Sequence, residues 1–200
     1  MVEITDIISD VKVYGLEDAV RAAKYPYATS TEKLTSDVIP VTSKLFGCGI
    51  GEGHDQALTG IIVQFDLTLP VKVWTEAQRY HFFDFVSSMS TMHRITKFDL
   101  NKAYNEYVDP AIIELMKEKV EEYNNLTDSE EKNKKYLEIL YSNPCGFKIT
   151  ARMTTNYRQL KTIYYQRKNH RLPEWRAFCE WIETLPSFRD LVLGGDKENA

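Results

Sequence analysis

Two hundred residues with a net charge of −4 and a pI near 5.6 suit one globular domain and argue against broad electrostatic binding of nucleic acid. Cys48, Cys145 and Cys179 are odd in number and far apart; they offer neither a disulfide framework nor a zinc-ligand spacing, so no metal site is expected and the cytoplasm is the expected compartment. No window approaches the roughly 18 apolar residues of a membrane span, and the first residues lack a signal-peptide pattern, so no membrane partner is expected.

Val2 to Tyr14 alternates loosely and predicts one or two short strands at a sheet edge, broken by Gly15. Leu16 to Lys24 predicts a short helix with Leu16, Ala19, Val20 and Ala23 on one face. It stops at Tyr25-Pro26-Tyr27 because the residue before a proline is pushed out of the α region. Glycines at 47, 49, 51 and 53 mark a structural turn over Ser43 to Glu52; the stretch lacks the Lys-Ser/Thr ending of a P-loop and the spacing of GxGxxG. His54 stands at its end, just before Ile61 to Leu69, the clearest strand, which Pro70 limits.

Thr75 to about Met92 predicts a helix. Its Phe82, Phe83, Phe85, Val86, Met89 and Met92 cover more than one face, so it is expected to be buried on two sides. A basic knot follows, with His93, Arg94 and Lys97. Pro110 behind Asp109 opens a helix to about Asn124 with the stripe Ile112, Ile113, Met116, Val120 and Tyr123. Asp128 or Ser129 caps a further short helix bearing Tyr136, Leu137 and Leu140. The turn Asn143–Gly146 leads into a strand with Phe147, Ile149 and Ala151. Thr155 or Asn156 then caps a helix that carries Arg158 and Arg167, and the helix after Pro173 places Trp175, Phe178, Cys179, Ile182 and Leu185 on one face. A single domain over residues 1–193 with a flexible tail at 194–200 is expected.

Chemistry concentrates in the stretch from Thr154 to Trp175. Arg158 lies beside a helix start, where N–H groups favour an anion, and Arg167 comes nine residues later, about two and a half turns on, so the two need not meet one ligand group. Plainer readings stand beside these: arginines that solvate a helix or pair with Glu174 and Glu180, a surface His93-Arg94, and a loop histidine at 54. There is no GxSxG, no HExxH and no Cys-His nucleophile pattern.

The order of these pieces resembles the flavin-dependent thymidylate synthases. That family has an A-V-R-A-A-R-like helix, then G-H-E-T-P-F-E-H, a strand, R-H-R-x-x-S, T-x-N-A-R-S-L with an arginine nine residues after the motif's own, and Q-W-E-I. The corresponding text is Ala19-Val20-Arg21-Ala22-Ala23-Lys24, Gly53-His54-Asp55-Gln56-Ala57-Leu58, Met92-His93-Arg94-Ile95-Thr96-Lys97-Phe98, Thr155-Asn156-Tyr157-Arg158-Gln159-Leu160, Arg167 and Glu174-Trp175. Gln78-Arg79-Tyr80-His81 is a second origin for the basic motif, but Phe82-Phe83-Asp84 continues it less well, so His93-Arg94 is preferred.

The resemblance implies an α/β (α+β) fold of helices packed around a twisted, mainly antiparallel sheet, and a homotetramer with shared active sites. It implies bound FAD, with NADPH and methylenetetrahydrofolate as co-substrates and one-carbon transfer to C5 of dUMP. Carried over by position, His54, His93, Arg94, Asn156 and Arg158 would contact the cofactor, and Arg167 would hold the pyrimidine nucleotide and polarise its ring. Met92 stands where the motif opens with arginine, Lys97 replaces its serine, and Lys102-Ala103-Tyr104 replaces the downstream S-x-R that grips phosphate. Lys97 and Lys102 are therefore the candidate substrate-phosphate contacts, as point charges rather than bidentate forks. A related pyrimidine nucleotide, another C5 modification, or a non-catalytic nucleotide- or flavin-binding protein on the same fold stay open as alternatives. The compact divergence suits a phage or other mobile-element copy.

Overall fold

The computed structural model describes residues 2–194; most of the expected tail, residues 195–200, lies outside the described residues. In chain order the elements are α1 (Ile4–Ile7), β1 (Ile8–Tyr14), α2 (Leu16–Ala22), α3 (Pro40–Phe46), β2 (Ile62–Pro70), α4 (Val71–Ala77), β3 (Phe83–Ser88), α5 (Thr91–Arg94), α6 (Pro110–Asn125), α7 (Ser129–Ser142), β4 (Lys148–Asn156), α8 (Tyr157–Arg167) and α9 (Pro173–Thr184). Helices thus accompany an open antiparallel sheet of four strands in the order β1-β2-β4-β3. β1 pairs antiparallel with β2, Ile8 facing Leu67 and Tyr14 facing Ile62.

The described residues form two compact units, one of residues 2–67, 80–86 and 152–194, the other of residues 68–79 and 87–151. In the first, Val63, Phe65 and Leu67 of β2 are buried at every second position, the period-two pattern of a strand with one face in a core. Phe65 is the hub: its ring lies 4.6 Å from Trp181, 5.9 Å from Phe178 and 6.2 Å from Phe83. The α9 face foreseen from Pro173 onward is the one buried, with Trp175, Phe178, Cys179 and Ile182 inside. Gly15 caps α2 with φ +74°, and a Cβ there would meet the Gly60 carbonyl oxygen at 2.4 Å. Only glycine fits that close approach.

In the second unit, α6 and α7 form a hairpin. Asp109 caps α6 by accepting from the Ala111 amide at 2.8 Å, and Asp128 caps α7 by accepting from Glu130 and Glu131. Met116 and Ile139 join Ile95, Leu100, Tyr104 and Phe147 in one apolar cluster. Trp74 of α4 donates its indole N–H to the Ile149 carbonyl at 3.1 Å.

Two expectations are corrected. The start, expected as strand, opens with the helical turn α1 before β1 takes the sheet edge. The helix expected over 75–92 does not exist: α4 begins at Val71 directly after Pro70 and ends at Ala77, and the chain reverses at Phe82, whose φ is +57°. It then runs as β3, which Phe83, Phe85 and Val86 favour as aromatic and β-branched residues. Of the side chains expected to be buried on two sides, Phe83 is buried, whereas Phe82, Phe85, Val86, Met89 and Met92 are exposed.

Phe65→Ala removes the fully buried hub ring and is expected to cost about 3–5 kcal/mol. Urea unfolding of the purified variant measures it; a loss under about 1 kcal/mol would show that the ring cluster does not hold this unit together.

Candidate functional site

The first unit holds a cleft of about 610 Å3, bordered by Ile50 and Gly51 of the glycine-rich turn, Asp55 and Gln56 behind it, Phe82, and Asn156 and Arg158 at the start of α8. Asn156 ends β4 and caps α8, accepting from the Gln159 amide at 2.9 Å. That places Arg158 in the first helical turn. Its Nε donates to Asp55 Oδ1 at 2.9 Å and its Nη1 to Gln56 Oε1 at 2.9 Å, and its side chain stays about one-third exposed.

Asp55 is almost fully enclosed, and its second oxygen accepts from Lys161 Nζ at 2.8 Å. Lys161 is 1% exposed. It also donates to the carbonyls of Phe46 at 2.8 Å and Cys48 at 2.6 Å, so all three ammonium protons are used. Burial by itself raises the Asp55 pKa, but the hydrogen bond and charge of Lys161, reinforced by those of Arg158, hold it below its ordinary value.

At the far end of α8, Arg167 lies over the rings of Trp175 at 4.9 Å and Tyr80 at 5.5 Å. Its Nε donates to the Tyr80 oxygen at 2.7 Å, Tyr80 donates in turn to Gln166 Oε1 at 2.9 Å, and Arg167 Nη1 meets His170 Nε2 at 2.8 Å. A planar cation stacked on two rings beside hydrogen-bonding groups suits a flat, partly anionic ligand.

The remaining candidates stand elsewhere. His54 is exposed and borders an apolar groove with Tyr27, Leu45 and Cys48. His93 and Arg94 are exposed in the four-residue helix α5 of the second unit. Lys97 is exposed in the same unit, and Lys102 faces Asp99 at 3.7 Å. The structure therefore brings Asn156 and Arg158 to one cleft and sets Arg167 at the other end of α8. Of the two stretches weighed for the basic motif, Gln78–His81 supplies Tyr80 to Arg167. Asp55 and Lys161 escaped the sequence reading, although Lys161 follows Arg158 by three residues and so shares its helix face. Burial pushes the Cys179 thiol up to about 12, so it stays protonated at neutral pH. Among the described residues, no helix is long and apolar enough to cross a membrane.

No family model matches the chain, and no curated protein matches it in sequence. The fold does have solved counterparts: helices and antiparallel sheet are arranged as in the flavin-dependent thymidylate synthases. The chain is similar to the flavin-dependent thymidylate synthase ThyX from Helicobacter pylori complexed with FAD and dUMP, with a TM-score of 0.67 and 16% identity over 92% of this chain and 100% of that one. A second structure of that enzyme with FAD and dUMP gives a TM-score of 0.67 and 16% identity over 90% and 95%.

The lowered Asp55 pKa has a pH consequence. The folded state binds this proton less readily than the unfolded chain, so the stabilisation is complete above the ordinary value of 3.8 and fades as pH falls toward the lower folded pKa. The difference in unfolding free energy between wild type and Asp55→Asn should be largest near neutrality and narrow as pH falls below the ordinary value of 3.8. Urea titrations across that range decide it; a constant difference would remove the charge from the account.

Proposed function

We propose that this chain is a divergent FAD-dependent enzyme of the thymidylate synthase type. It transfers a one-carbon unit from methylenetetrahydrofolate to C5 of dUMP or a related pyrimidine nucleotide, in the cytoplasm, with NADPH as reductant. The observation that carries this reading is the likeness in fold to a protein solved with FAD and dUMP, which runs through 92% of this chain and the whole of the other.

The residues present are compatible with such ligands. The cleft volume of about 610 Å3 lies in the ordinary range for small-molecule sites. Arg158 reaches it with Nε and one N–H of Nη1 engaged, so the second N–H of Nη1 and both of Nη2 are the donors for an anionic or carbonyl oxygen of the cofactor. Asn156 keeps the helix start in place beneath it; His54, His93 and Arg94, outside this cleft, are the other proposed cofactor contacts. Bound reduced flavin supplies the reducing equivalents. Arg167 holds the flat pyrimidine nucleotide and stabilises negative charge as it develops on the ring oxygen. Lys97 and Lys102 serve the nucleotide phosphate as point charges.

We propose further that the protein works as a homotetramer whose subunits share active sites. Large apolar side chains left in solvent, Val86 at 59% and Met92 at 60% exposure among them, fit burial against further copies.

Purified protein should be yellow or take up added FAD near one per chain, and should release tritium from C5-labelled dUMP with methylenetetrahydrofolate and NADPH. Protein that takes no FAD would sink the enzyme reading. FAD binding without release from any pyrimidine nucleotide would favour the non-catalytic reading. Arg167→Ala is expected to weaken nucleotide binding about tenfold or more with the far-ultraviolet circular dichroism unchanged; undiminished affinity would reject its role.

A further inference from the structure

One ammonium closes the glycine-rich turn. Lys161 Nζ holds the Phe46 and Cys48 carbonyls on the entering side and the Asp55 carboxylate on the leaving side. Between Cys48 and Asp55 the chain makes an excursion through Gly49, Gly51 and Gly53, the last two at φ +96° and +81°. The excursion has little of its own to hold it: its one backbone hydrogen bond among the described residues runs from the Glu52 amide to the Gly49 carbonyl at 3.2 Å. Ile50 at its tip is 54% exposed, and Ile50 and Gly51 nevertheless form a wall of the cleft.

The same carboxylate that meets Lys161 holds Arg158. Asp55 Oδ2 faces the buried lysine and Oδ1 faces Arg158 Nε, so loop closure and arginine direction run through one side chain. Lys161 and Arg158 are three residues apart on α8, about 4.5 Å along the axis, a spacing that one carboxylate spans.

We propose that Lys161 and Asp55 are positioning residues for the cleft: Lys161 fixes the loop over 49–54 as its wall, and Asp55 passes that constraint to Arg158, aiming its remaining N–H groups at an anionic ligand. Neither residue touches the ligand. Lys161 is 1% exposed with all three ammonium protons engaged, and both Asp55 oxygens are committed. A lysine used this way is a rigid peg, because three hydrogen bonds in fixed directions remove its usual freedom. In ligand terms the proposal rests on the FAD reading above, whereas the loop closure does not.

Hydrogen exchange of ligand-free protein and FAD titration separate the two. In Lys161→Met, amides of residues 49–54 should exchange about tenfold faster or more, while those of α6 keep wild-type protection. Arg158→Ala should leave loop exchange unchanged and weaken FAD binding about tenfold. Asp55→Asn should weaken FAD binding by a similar factor, and the double variant should be no worse than either single one, since Asp55 acts through Arg158. A purely structural Asp55 would instead give additive losses. Wild-type loop exchange in Lys161→Met, or additive losses of FAD affinity, overturns the proposal. Should Lys161→Met not fold, Lys161→Gln provides the same exchange comparison. If wild-type protein takes no FAD, the enzyme reading fails, and the exchange data alone decide whether Lys161 closes the loop.

Discussion

The buried contact between Lys161 and Asp55 is the constraint on which the site depends. Removing an ammonium and a carboxylate from water costs several kcal/mol per ion, and their attraction offsets this only when the remaining hydrogen-bonding capacity is also met. Here it is met. Lysine spends its other two protons on the Phe46 and Cys48 carbonyls, and the carboxylate spends its other oxygen on Arg158. No buried side-chain nitrogen or oxygen among the described residues lacks a hydrogen-bond partner. Such a cluster adds little net stability over an apolar one of the same shape, but removing any one member leaves a buried charge or carbonyl exposed to that cost. What it supplies is geometry, because it admits one arrangement of loop, helix and arginine.

That geometry stands on elements whose origin is visible in the residues. β2 reads as a strand because Val63, Phe65 and Leu67 alternate with Gln64 and Asp66, and α8 starts where Asn156 offers a capping carbonyl. α6 opens at a proline behind an aspartate, and α9 carries one apolar face. Each is a local signal with a local cause. The misread segment, 75–92, offered a start signal in Thr75 and Glu76 but no single apolar face. Six large apolar residues satisfied a helical reading only by covering more than one face, which a strand with exposed apolar side chains explains as well. The deciding event is the left-handed turn at Phe82, a conformation a bulky residue adopts only when its surroundings impose it. Thr155 supports that turn by donating to the Phe82 carbonyl at 2.7 Å, a contact from 73 positions away. No window of sequence contains it.

The site was legible to the same degree and for the same reason. Asn156 and Arg158 could be found because a helix start announces itself. The partner of Arg158 could not, since Asp55 lies more than a hundred positions upstream in a turn whose glycines drew the attention. Two cations at a three-residue spacing on a buried helix face were the missed clue, because one of them must find an anion inside the protein. Arg167 shows the converse. Its position nine residues after Arg158 was legible, and His170 and Trp175 follow it closely in the chain, but Tyr80, which completes its surroundings, lies 87 positions upstream.

At 16% identity the shared architecture says how the chain folds, while the chemistry must be argued from the site. Here the charges are redistributed. Where the resembling family has the S-x-R that grips phosphate, this chain has Lys102-Ala103-Tyr104: a buried tyrosine stands at the arginine's position, and Lys102 is exposed beside Asp99. An ammonium attracts a phosphate without fixing its orientation, whereas an arginine stacked on rings is already oriented. Arg167 is that arginine. It is the stacked guanidinium in the first unit, while the exposed Arg94 of the second has no ring placed over it among the described residues.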